Sequence, residues 1–89
     1  MSKFSFSGSF AYQKAGRKLI LRVPKSVGGT FAISNSSGKP FWLILDGVKE
    51  FRVKPYGIAR IYISSPGFPT RIYIQSRGVA NGSFIFQQK

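Results

Sequence analysis

Along most of this chain apolar and polar residues alternate one by one, and no window of about eleven residues carries the spacing of a helical stripe. Side chains two apart share a face only in an extended strand, so the pattern predicts an all-β fold. Phe4, Phe6, Phe10 and Tyr12 share one parity, and Ser5, Ser7, Ser9 and Gln13 take the other. Leu19, Leu21 and Val23 then alternate with Lys18, Ile20 and Arg22 until Pro24, which cannot donate to a ladder. A third strand, Phe31 to Ser34, follows Gly28-Gly29, and Asn35 to Gly38 has the composition of a loop. Phe41 to Leu45 is apolar at both parities, as expected of a central strand covered on both sides, with Trp42 packed in the core.

Asp46-Gly47 separates that run from Val48 to Lys54 and predicts a two-residue hairpin turn, in which both central positions need positive φ. Asp46 is thereby a turn residue rather than a catalytic acid. Tyr56 to Ser64, Thr70 to Ser76 and Ser83 to Gln87 complete the set of strands. Eighty-nine residues hold one core. The expectation is a single all-β domain over residues 1–89, an antiparallel barrel or sandwich of seven to eight short strands, OB-like, SH3-like or jelly-roll-like.

Charge points to the partner. Fourteen Lys and Arg face only Asp46 and Glu50, for a net charge of +12. Both halves of the chain are strongly basic and the cations sit inside the predicted strands and turns, so the folded body, not a tail, is the electropositive surface. Such a surface fits a polyanion.

The residues that are missing exclude much chemistry. Without Cys or His there is no disulfide framework, thiolate zinc site, Cys nucleophile or imidazole base, and neither a metal nor a cofactor is expected. The two acids flank a predicted turn, which makes a poor carboxylate pair. No glycine-rich nucleotide fingerprint is present, and no apolar run is long enough to span a membrane or mark secretion. The expectation is a non-enzymatic, cytoplasmic protein.

One local near-repeat stands out. Arg60-Ile61-Tyr62-Ile63 recurs as Arg71-Ile72-Tyr73-Ile74, with Pro-Gly-Phe-Pro in between. In each copy Arg and Tyr share one face and the isoleucines the other. Paired as an antiparallel hairpin, the copies would set Arg60 opposite Tyr73 and Tyr62 opposite Arg71, a cationic and aromatic surface on which bases stack while guanidinium groups track phosphates. Solvent-facing strands also use Arg and Tyr with no ligand in view. A second basic cluster, Lys14, Arg17, Lys18, Arg22 and Lys25, forms a loop and a strand face in which Lys18 and Arg22 point outward, suited to gripping a backbone. Phe68, between glycine and proline at a loop tip, either folds back onto the core or stands exposed as an anchor.

Two functional classes follow. The first is a nucleic-acid-binding module for single-stranded DNA or RNA, weak in sequence specificity because few strand Asn or Gln are available for base edges. The second is a small self-assembling β-sandwich of a virus or phage particle, a homo-oligomer whose charge faces packaged nucleic acid or an acidic partner subunit in the virion.

Overall fold

The computed structural model describes residues 5–46, 49–65 and 67–89. These residues form strands and turns with no helix. The strands are β1 (Ser5–Tyr12), β2 (Gly16–Val23), β3 (Val27–Asn35), β4 (Phe41–Leu45), β5 (Lys49–Val53), β6 (Ile58–Ser65), β7 (Thr70–Ser76) and β8 (Ala80–Gln88). They make two four-stranded sheets, in the orders β1-β8-β3-β6 and β2-β7-β4-β5, and every described pairing is antiparallel. The all-β expectation holds as a sandwich, and the strand order follows the double Greek-key winding of a jelly roll.

Alternation decides what lies between the sheets. Phe10, Phe31, Ile33, Ile63, Phe84 and Phe86 point inward from the first sheet, and Leu21, Val23, Phe41, Leu43, Val53, Ile72 and Ile74 from the second. Several of these inward positions lose all contact with solvent, Phe31, Phe41 and Phe86 being the largest. Two inward positions are glycines because backbones meet there. A Cβ at Gly29 would be driven into the Gln87 carbonyl, and one at Gly82 into the Ser34 carbonyl and the Phe10 ring.

Most connections cross from one sheet to the other, and among the described strands only β4 and β5 are both consecutive and paired. Their register sets Leu45 opposite Lys49, so three residues, not two, separate the last pair. Asp46 has φ of 53° in the left-handed region, while Gly47 of the expected turn, and Val48, expected to open the next strand, lie outside the described residues. Asn35 organises the β3–β4 loop. Its amide donates to the Lys39 carbonyl at 2.8 Å and the Val53 carbonyl at 3.3 Å, and its oxygen accepts from the Ser37 N–H and hydroxyl.

The expected hairpin between the two Arg-Ile-Tyr-Ile copies is not formed. β6 pairs with β3 at one edge of the first sheet, and β7 lies between β2 and β4 in the second with both of its ladders occupied. β7 therefore has no free backbone edge to offer β6. A buried hydrogen bond between the hydroxyls of Ser65 and Thr70, 2.5 Å apart, ties the end of one strand to the start of the other where the chain changes sheet.

Replacing Thr70 with Val should leave the Ser65 hydroxyl buried without a partner and destabilise the fold by about 1–3 kcal/mol in urea denaturation. Removing both hydroxyls in Ser65→Ala with Thr70→Val should cost less than the sum of the single changes.

Candidate nucleic-acid interface

A β-bulge determines which cations share a surface. In β2 the register against β7 slips between Leu19 and Leu21, so Ile20 is inserted and side-chain parity reverses. Before the slip Arg17 pairs with Gln75 and Leu19 with Tyr73, both outward; after it Leu21 and Val23 are buried and Arg22 pairs with Arg71. Leu19, which alternation groups with Leu21 and Val23, is 52% exposed. Lys18 and Arg22, expected on one outer face, are separated: Lys18 takes the parity of its inward partner Ile74 and holds its ammonium 5.7 Å from the Tyr12 ring centre. A one-residue slip sends side chains to the opposite face, and simple alternation has no means of marking where it happens.

The outer face of β2-β7-β4-β5 is consequently rich in arginine. Arg17, Gln75, Trp42 and Arg52 lie in one row across it, and Leu19, Tyr73, Ile44 and Glu50 in the next. Arg22 and Arg71 follow side by side. Arg17 donates from Nε and a terminal nitrogen to the Gln75 side-chain oxygen, at 3.1 and 2.8 Å, which ties its guanidinium to the neighbouring strand. Arg77, just past β7, places its guanidinium 4.9 Å from the centre of the Trp42 ring. Five of the six arginines in the sequence thus share this face. Trp42 is half-buried here instead of in the core, and Ile44, 2% exposed, is the apolar residue the flanking outward side chains cover.

The opposite face has another character. Across β1-β8-β3-β6 the outward rows read Ser5, Gln87, Thr30, Tyr62; then Ser7, Ile85, Ala32, Arg60; then Ser9, Ser83, Ser34, Ile58. Arg60 is the only charge in those rows. Arg60 and Tyr62 therefore lie on the other side of the sandwich from Arg71 and Tyr73, and the expected four-residue platform is divided between two surfaces. Each copy of the repeat does turn its isoleucines inward, with Ile63, Ile72 and Ile74 buried.

Part of the expected set converges. A cleft of about 410 Å³ at the end of the cationic face is lined by Arg17, Asp46, Phe68, Pro69, Arg71 and Tyr73. Phe68 is 66% exposed and stands at its rim, so of its two expected arrangements the exposed one is found. Asp46 closes the cleft from the turn that follows β4. Its N–H donates to the Arg71 carbonyl at 2.9 Å, and its Oδ1 accepts the Arg71 N–H at 2.8 Å. Lys14 and Lys25 are exposed in the turns before and after β2 and line neither this cleft nor the arginine rows. Trp42, Arg52 and Arg77 were missed from sequence, although Arg52 and Trp42 do stand at the outward parity of their strands. Among the described residues no three His, Cys, Asp or Glu groups come together as a metal site.

No protein-family model matches this sequence, and no curated protein matches it. Solved structures resemble it in fold. It is similar to PirA, with a TM-score of 0.68 at 12% identity over 93% of each chain. It is also similar to a de novo designed double-stranded β-helix, with a TM-score of 0.64 at 12% identity, covering 94% of this chain and 99% of that one. An RmlC-like cupin family protein with a double-stranded β-helix fold from Methanocaldococcus jannaschii gives 0.57 at 10% identity, over 94% and 70%. At these identities the likeness is one of fold, a double-stranded β-helix, and function has to be argued from the surface.

Trp42, the single tryptophan, reports on the cationic face. Relative to quenching of free N-acetyltryptophanamide by the same ion, iodide should quench its fluorescence at least about twofold more efficiently than caesium at low ionic strength, and the gap should close as salt is added. Equal quenching by the two ions would mean that the arginine rows do not set the local potential.

Proposed function

We propose that this protein binds single-stranded nucleic acid through the outer face of β2-β7-β4-β5, without catalysing a reaction. The observation that supports this is the segregation of Arg17, Arg22, Arg52, Arg71 and Arg77, with Trp42 and Tyr73, onto one sheet. Guanidinium groups engage phosphates along the rows, and rings offer stacking surfaces worth roughly 1–3 kcal/mol per base. Sequence preference is weak across most of the face, because phosphate contacts and stacking read no base edge. Phe68, at the rim, extends the aromatic surface toward the loop. Localisation follows the ligand, in the cytoplasm of the producing cell or inside a particle.

A second reading, the particle subunit, draws on the opposite face. With Arg60 as the only charge in its rows and the Lys89 ammonium over the Tyr62 ring beside them, that face sets fewer cations between approaching copies than the arginine face does, and jelly rolls build capsids among other assemblies. Light scattering before and after nuclease and high salt separates the two: material that salt strips to a small species favours the first reading, and a large assembly indifferent to both treatments favours the second.

Binding to a single-stranded oligonucleotide should weaken with salt at a log–log slope of roughly −3 to −4, for about four to six neutralised phosphates. Arg71→Gln and Arg60→Gln remove the same charge from opposite faces. The first should flatten the slope by about 0.7 and the second should barely change it. Equal effects in a titration would indicate a diffuse cationic sponge. Tyr73→Ala should cost roughly 1–3 kcal/mol of affinity with the slope nearly unchanged.

A further inference from the structure

We propose that the cleft lined by Arg17, Arg71, Tyr73, Phe68 and Asp46 reads one base, and that the base is guanine, with the carboxylate of Asp46 as its reader. The inference rests on the nucleic-acid reading above and adds a ligand identity to it. Its starting point is an apparent contradiction, since one of the two acids in a chain of net charge +12 lines a cleft otherwise built for an anion, from Arg17, Arg71 and the rings of Phe68 and Tyr73.

The turn does not require that acid. Asp46 has φ of 53°, which Asn tolerates as well, and its structural bond is accepted by Oδ1 from the Arg71 N–H, which an Asn oxygen would accept equally. Among the described residues Oδ2 has no partner, and a carboxylate carries about four acceptor sites. A phosphate drawn to Arg17 and Arg71 would be repelled by the carboxylate beside them, so the group turned toward Asp46 has to be a hydrogen-bond donor.

The Watson–Crick edges of unpaired bases differ in what they present. Guanine offers two neighbouring donors, N1–H and the N2 amino group, which match the two oxygens of a carboxylate. Cytosine and adenine each offer an amino group next to a ring nitrogen acceptor, and thymine or uracil a single N–H between two carbonyl oxygens. The donor pair on guanine is therefore the best match for Asp46, with Phe68 and Tyr73 available to its π-faces and the flanking phosphates left to Arg17 and Arg71.

Fluorescence anisotropy at fixed salt tests this with thymidine oligonucleotides carrying one central dG, dA, dC or deoxyinosine. The dG oligonucleotide should bind at least about fivefold tighter than the all-thymidine one. Deoxyinosine, which keeps N1–H and lacks the N2 amino group, should fall between them. Asp46→Asn should melt like the parent, lose the guanine preference and bind the all-thymidine oligonucleotide at least as tightly, because a repelling charge is gone. If the parent binds all the oligonucleotides alike, or fails to distinguish dG from deoxyinosine, the guanine assignment is overturned and the broader reading stands. Retention of the preference in Asp46→Asn overturns the role of the carboxylate. If no oligonucleotide binds, both fall. The dG and deoxyinosine comparison uses the parent protein alone and does not depend on the variant folding.

Discussion

The apolar layer between the sheets is what everything else in this molecule depends on, because it has to outweigh a net charge of +12 with only two carboxylates to moderate it. At roughly 25 cal/mol per Å² of apolar surface removed from water, phenylalanine and isoleucine side chains are efficient at that task. Phe31, Phe41, Phe86 and their neighbours fill the interior, and the outward positions are left free to be polar. The arginines are tolerated on one sheet because they stand outside a packed layer. Their mutual repulsion is relieved by separation, by the Gln75 side chain and Trp42 ring that two of them contact, and by any anion that arrives.

The inward and outward faces of most strands were legible from alternation alone, and so was the central place of Phe41 to Leu45 between β7 and β5. Three things were not. The bulge at Ile20 reverses parity within β2, and an inserted apolar residue in an apolar strand leaves no local mark. Trp42 looked like core because its strand is apolar on both sides, yet it lies under an arginine at the surface. Sheet membership was out of reach, since the pairing of a strand is a long-range property. Arg60 and Arg71 follow the same local pattern and finish on opposite sides of the molecule.

For the candidate site the residue types were readable and their grouping was not. Arg17, Phe68, Arg71 and Tyr73 were singled out for their chemistry, and the fold brings these four together, with Asp46 added from a turn. The members left outside, Arg60 and Tyr62, were included on an assumed hairpin. Arg52 and Arg77 enter through the register of β5 and the chain path after β7, which no local spacing encodes.

The order of strands also bears on how the protein comes into being. β7 and β8, late in the chain, lie inside their sheets: β7 joins β2 to β4, and β8 joins β1 to β3. As the polypeptide leaves the ribosome, β1 and β2 have no sheet to enter, and the β4–β5 hairpin is the one pairing available between neighbours in sequence. Folds dominated by distant contacts form slowly, and exposed strand edges are hazardous in the interval. Here β2 finds its sheet partner only in β7, and β1 only in β8, so the first two strands wait longest for a ladder. The arginine face therefore depends on one strand: until β7 is in place, β2 on one side and the β4–β5 pair on the other have nothing to join them.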